Sequence, residues 1–317
     1  MPEPQAVLQM LQAWAETQPA VRALLLTSSR TAPGAPVDAL SDYDLIVAVN
    51  DPPGIQPYFD SRDWLEAFGR VLVLYRDPIK PWFDGQAPDD RCFAYITQFD
   101  RDGLKLDLTV MPATLLRRIA GSPLDPDLDL GYQVLLDKDG LTAGMPPPTH
   151  RAFIPLPPDQ QSYLQEVELF FHETTYLAKY LWRDDLLPAR SMLQEAMLQG
   201  HLLPMLIWHI QSLNGWRLRF KAHGRGLKKV TPPELWAELE QLSLGGNAGE
   251  NWAVLWQAVD LYLRLAKQVG AHLGFAFPQR LVERCLAYLS WVQALPAPAA
   301  PANSAPGAPP LDPSRTG

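Results

Sequence analysis

Two aspartates one residue apart, Asp42 and Asp44, follow a Ser28-Ser29-Arg30-Thr31 run, and a third lies far downstream in Lys105-Leu106-Asp107-Leu108-Thr109. On a strand, residues two apart point to the same face. Asp42 and Asp44 therefore project together, and so do Lys105, Asp107 and Thr109, with Leu104, Leu106, Leu108 and Val110 on the opposite, apolar face. If the two strands are neighbours, three carboxylates converge. Such a group repels itself and shifts its own pKa values unless a cation sits within it. Hard oxygen donors of this kind suit Mg²⁺, which keeps substrate phosphates as co-ligands. Two ions about 3.5–4 Å apart can activate an attacking oxygen and stabilise a leaving one. The Ser-rich loop, with its backbone N–H groups and hydroxyls, is suited to hold a triphosphate. A lone Asp-x-Asp is usually an Asx-turn or a solvated strand edge. The restrictive feature is the order: strand, Ser-rich loop, Asp-x-Asp strand, hairpin, Asp strand.

The elements that must position these residues can be read from periodicity. Residues 4–17 carry Val7, Met10, Leu11 and Trp14 at helical spacing. Residues 21–27 predict a buried strand, residues 28–40 a loop, residues 43–50 a second strand and residues 64–68 a brief helix. Residues 71–75, 91–99 and 104–111 predict further strands, the last two joined by the hairpin signal Asp100-Arg101-Asp102-Gly103. After Pro112 the chain turns helical. A proline-rich bridge from Pro146 to Pro158 separates it from residues 160–183, 189–212, 233–242, 252–273 and 278–295, all with the 3.6-residue apolar repeat. The expected fold is α+β: an N-terminal mixed-sheet domain over residues 1–150, then an all-helical domain over residues 151–295. Residues 296–317, rich in Pro and Ala, are expected to be a disordered tail.

A net charge of −8, from 35 acids against 27 bases, argues against nucleic acid as a partner, because phosphate neutralisation needs a basic surface. It suits a cationic small molecule. Cys92 and Cys285 stand alone, in no metal-binding spacing, as expected in a reducing cytoplasm. No signal-like segment opens the chain and no apolar run is long enough to span a bilayer, so no membrane association is expected.

The sequence resembles the aminoglycoside 6-adenylyltransferase family, also called streptomycin adenylyltransferases, within the polymerase-beta-like nucleotidyltransferase superfamily. The residues that carry the likeness are Ser29-Arg30-Thr31, Asp42-Tyr43-Asp44, Trp64-Leu65 with Phe68-Gly69, Gly103 through Pro112 and Leu135 to Asp139. In the helical half it continues through Tyr176, Lys179, Arg183, Trp208-His209 and Trp236. The resemblance implies that AMP passes from ATP to a hydroxyl of an aminoglycoside, streptomycin foremost, in a cleft between a mixed-sheet and a helical domain. It implies Asp42, Asp44 and Asp107 as carboxylates for two Mg²⁺ ions, and Ser29 and Arg30 as triphosphate contacts. Another small-molecule or protein acceptor, or a nucleotide-binding module without turnover, are the alternative readings.

The chain departs from the family in two places. Ser28-Ser29 stands where the family has Gly-Ser, and Gly allows close approach to a phosphate. The family's acid before an aromatic pair becomes Glu168-Leu169-Phe170-Phe171, a displacement of one residue, which on a helix is a rotation of about 100°. Glu168 sits nearest that acid and is the expected general base, ahead of Glu166 and Glu173, which share another face of the helix. Asp107 is a second possible proton acceptor. Lys179 is the expected partner of a β- or γ-phosphate. His209 reads as a core residue, Lys228 and Lys229 as a solvated turn, and most tryptophans as core.

Overall fold

A computed structural model describes residues 3–35, 37–51, 53–78, 92–100, 103–220 and 222–296. The chain divides into two compact units, Met1–Phe153 and Ile154–Gly317. Arg91, the hairpin residues Arg101 and Asp102, and the expected tail beyond Pro296 lie outside the described residues.

The first unit opens with α1 (Pro4–Thr17), then β1 (Val21–Thr27), a 3₁₀ turn (Ser28–Arg30), β2 (Tyr43–Val49), α2 (Gln56–Asp60) and a 3₁₀ segment (Asp63–Phe68). It continues with β3 (Val71–Pro78), β4 (Phe93–Phe99), β5 (Lys105–Pro112), α3 (Ala113–Ala120), α4 (Pro126–Leu130) and β6 (Tyr132–Asp137). The sheet order is β3-β4-β5-β2-β1-β6. β2 and β5 pair in parallel, and every other neighbouring pair is antiparallel.

Strict alternation along β2 and β5 splits their side chains between two cores. Tyr43, Leu45, Val47, Leu106, Leu108 and Val110 pack with Val7, Leu11 and Trp14 of α1 and with Leu65 and Phe68. Ile46, Ala48 and Met111 pack on the other face with Leu115, Leu116 and Ile119 of α3. Burying one aliphatic side chain of this kind is worth about 1.5–3 kcal/mol, so register is strongly held on both faces. Asp44 and Asp107 belong to the second face, two residues before Ile46 and Thr109.

The second unit holds α5 (Gln160–Trp182), α6 (Leu186–Ser191), a π-helical stretch (Met192–Leu202), α7 (Leu203–Leu213), α8 (Pro233–Glu240), α9 (Ala248–Leu273) and α10 (Gln279–Gln293). One core gathers Tyr163, Phe170, Phe171, Met205, Leu206, Leu255 and Tyr262, with Phe170 stacked on Tyr262 at 3.6 Å. The Asp159 side chain caps α5 by accepting from Ser162 N at 2.7 Å.

Three features differ from the sequence reading. β6 replaces part of the region expected to be helical. The single helix expected over residues 189–212 is instead α6, eleven residues of π-helix and α7. The loop after β1 begins with a 3₁₀ turn. No described helix is long and apolar enough to cross a membrane.

Candidate active site

The parallel register sets Asp44 opposite Asp107, with Tyr43 opposite Leu106 and Leu45 opposite Leu108. Neighbouring strands lie about 4.8 Å apart. Two carboxylates on one face at that spacing crowd each other, and both are largely shielded from water. Burial above all, then the charges of Asp107 and Asp42, raises the Asp44 carboxyl to about 6, against the lowering effect of a hydrogen bond from Ser28 and the charge of Lys105. Burial likewise raises Asp107, outweighing the hydrogen bond and charge of Lys105.

Lys105 joins the group across the strands. Its Nζ donates to Asp42 Oδ2 at 2.7 Å and to Asp107 Oδ2 at 2.8 Å. Burial works against its charge, but the hydrogen bonds to Asp107 and Asp42 prevail and raise the ammonium above its usual value. Asp107 Oδ1 is buried and has no hydrogen-bond partner. A buried carboxylate oxygen left so is costly and asks for a donor or a cation.

The loop before β2 is held by Arg30. Its guanidinium donates to the backbone oxygens of Asp42 at 2.9 Å and Ser41 at 2.5 Å, and lies 3.6 Å from the centre of the Tyr43 ring. Thr27 Oγ1 donates to Asp44 O at 3.2 Å, closing the end of the β1–β2 pair. Arg30 thus fixes the backbone that carries Asp42 and Asp44. Ser29, expected at a triphosphate, is buried in the turn beside it.

Ser28 adopts φ 65°, in the left-handed region that favours glycine. For a non-Gly residue this conformation costs about 1–2 kcal/mol. The turn is tied by Thr31, whose N and Oγ1 both donate to Ser28 O, at 3.1 and 2.9 Å. Beneath it lies Gly131, at φ 155°, where a Cβ would stand only 2.6 Å from Thr31 O. Sequence reading missed Gly131; its only signal was a glycine four positions before the LLDKD segment.

Among the described residues, no three His, Cys, Asp or Glu side chains are grouped so as to hold a metal ion by themselves. The donor chemistry nonetheless fits a hard cation. All three side chains are carboxylates, Asp107 keeps an unpartnered buried oxygen, and Asp44 is held against its charge by its surroundings. Phosphate oxygens would complete such a ligand set.

The remaining expected residues belong to the helical unit. Glu168 is exposed on α5, next to Gln165 and Leu164, on the side turned from the core. Glu166 is half-buried and bonded to His201 Nδ1 at 2.9 Å. Glu173 lies 3.8 Å from His172. Lys179 sits 4.9 Å from the Tyr176 ring centre. His209 is buried in α7, as a core residue should be, with its Nδ1 unpartnered. Lys228 is paired with Glu240 at 2.7 Å and lies over Trp236.

The family model described as Streptomycin adenylyltransferase matches residues 1–292. An aminoglycoside 6-adenylyltransferase of Bacillus subtilis (strain 168) is 27% identical over 258 residues, 81% of this chain and 87% of that protein. One of Campylobacter jejuni is 26% identical over 265 residues, 84% of this chain and 87% of that one. A crystal structure of an aminoglycoside 6-adenyltransferase from Bacillus subtilis aligns with 93% of this chain and 100% of its own, at 22% identity and a TM-score of 0.45.

Proposed function

The chain belongs to the streptomycin adenylyltransferase family, a family of nucleotidyltransferases, and from that premise we propose that it moves AMP from ATP to a hydroxyl of a streptomycin-like aminoglycoside, releasing pyrophosphate. The observation that carries this reading is the side-by-side placement of Asp44 and Asp107 on one face of the sheet, with Asp42 joined to the same cluster through Lys105. The acceptor oxygen attacks the α-phosphorus and forms the new O–P bond, the α–β bridging bond breaks, and pyrophosphate leaves.

Mg²⁺ held by Asp42, Asp44 and Asp107, as two ions, would acidify the acceptor hydroxyl and offset charge on the departing pyrophosphate. The protein's own part is placement. Arg30 locks the loop before β2, so the carboxylates are already oriented when ATP arrives; such preorganisation spares the reaction its own reorganisation. Ser29 and the turn around it are assigned to the triphosphate. Lys179 is assigned to its β- or γ-phosphate, and Glu168 to the proton released by the acceptor. Residues 1–150 would form the nucleotidyltransferase domain and residues 151–295 the substrate domain. The acidic balance of the chain suits a polycationic acceptor and not a nucleic acid. The enzyme would work in the cytoplasm, where ATP is plentiful.

The test is pyrophosphate release from ATP, Mg²⁺ and streptomycin by the wild-type protein and by Asp44→Ala. Release that needs streptomycin and disappears in the variant is the expected result. Bound ATP with no release on any aminoglycoside would overturn the acceptor assignment. Release that survives Asp44→Ala would overturn the site.

A further inference from the structure

We propose that Lys105 is a built-in counter-cation of the carboxylate site, holding Asp42 and Asp107 together before any metal binds and keeping a divalent ion out until a nucleotide arrives. The inference rests on the nucleotidyltransferase reading above and deepens it by making metal binding conditional on ATP.

The geometry points this way on three counts. First, the ammonium stands at 2.7 and 2.8 Å from one oxygen of each of two carboxylates carried by different segments, the loop before β2 and the start of β5. It neutralises the repulsion that would otherwise splay them. Second, the lysine does not complete the site. Asp107 Oδ1 remains buried and without a partner, and Asp44 receives no hydrogen bond from Lys105. A lysine serving only as structural glue would be expected in a fully satisfied network. Third, a divalent ion bound to the open oxygens would sit within a few ångströms of the ammonium, and like charges at that range in a half-buried site repel strongly. Metal and ammonium therefore compete for Asp42 and Asp107.

A bound triphosphate changes the balance, because its oxygens give the displaced ammonium a new partner. Metal and nucleotide then favour each other's binding, and the coupling is reciprocal. Lys105 is in this view a positioning residue. It takes no part in bond making, and it keeps the carboxylates from capturing a metal unproductively.

Mn²⁺ is a suitable probe, followed by electron paramagnetic resonance and by thermal melting, with and without a non-hydrolysable ATP analogue. Wild type is expected to bind Mn²⁺ weakly alone and about tenfold or more tightly with the analogue, a typical size for such coupling. Lys105→Met is expected to bind Mn²⁺ alone roughly tenfold more tightly than wild type, to melt lower without metal, and to lose most of the coupling. A merely structural lysine would weaken metal binding on removal, so the direction of the change decides. Unchanged or weaker Mn²⁺ binding in Lys105→Met overturns the proposal while leaving the nucleotidyltransferase reading intact. No Mn²⁺ binding by wild type even with the analogue overturns both. Should Lys105→Met fail to fold, Lys105→Gln, which keeps one donor without the charge, carries the same expectations.

Discussion

Asp44 stands opposite Asp107 in the parallel ladder of β2 and β5, so two acids share one sparingly hydrated patch of sheet. The Asp44 carboxyl is raised to about 6 from an ordinary 3.8, by burial first and the charge of Asp107 next. A carboxyl raised on folding binds its proton more tightly in the native state. Stability therefore falls as pH climbs through the window between those two values, and the whole penalty stands above it. Asp44→Asn keeps the shape and removes the charge. The metal-free variant should melt several degrees above wild type near pH 7.5, and the difference should close near pH 4. Equal melting temperatures at neutral pH would contradict the electrostatic account.

Ser28 shapes the same carboxylate from the turn. Its hydroxyl lowers the Asp44 pKa, while its own backbone is held at φ 65°. Ser28→Ala keeps the unfavourable dihedral and loses the hydrogen bond, at a cost of about 1 kcal/mol. Ser28→Gly loses the bond but relieves the backbone, so urea melts should rank Gly at or above Ser, and Ser above Ala. Without metal, both variants should shift upward the pH window over which Asp44 lowers stability, because the hydroxyl that holds its pKa down is gone. A window that stays put in metal-free melts would mean that Ser28 does not act on Asp44.

Gly131 offers a third check, from beneath the turn. A methyl group at this position would meet Thr31 O at 2.6 Å and Thr31 C at 2.8 Å, backbone atoms with no easy way to move. Gly131→Ala should cost about 1–3 kcal/mol in urea, as expected of overpacking, and raise KM for ATP more than it lowers kcat. A wild-type KM in a destabilised variant would show that the turn does not contact the nucleotide.

Glu168 and Glu166 differ in a way that mutation can expose. Glu166 is held by His201, whereas Glu168 lies on the open side of α5. Glu168→Gln is expected to leave the melting temperature unchanged and to reduce kcat by at least about a hundredfold, the usual contribution of a general base. Glu166→Ala should lower stability by about 1–3 kcal/mol, because it strands a half-buried imidazole. Full activity in Glu168→Gln would move the base assignment elsewhere, with Asp107 next to be tested.

The parts of this molecule that were legible in sequence are those written in local periodicity. Alternation along residues 43–50 and 104–111 placed the aspartates on one face, and the hydrophobic repeat after residue 160 marked the helices. β6 escaped because Tyr132–Asp137 is an edge strand with little buried surface, and its pairing with β1 joins segments more than a hundred residues apart. The π-helical stretch escaped because its wider turn leaves no separate mark on an apolar sequence such as Met192–Leu202. Lys105 was visible beside Asp107 on its strand. Its grip on Asp42 was not, since that contact depends on β2 and β5 being partners in a particular register. The departure at Ser28 was readable as a missing glycine, but the hydroxyl's service to Asp44 needed three dimensions.

The sheet order has a consequence for how such an enzyme can diversify. β2 and β5 are interior strands, so the gap between Asp44 and Asp107 is set like the jaws of a calliper, by ladder hydrogen bonds on either side. Loops, edge strands and the whole helical unit can drift without opening those jaws. New acceptors can thus be tried by changing the surroundings while the reactive spacing is inherited unaltered.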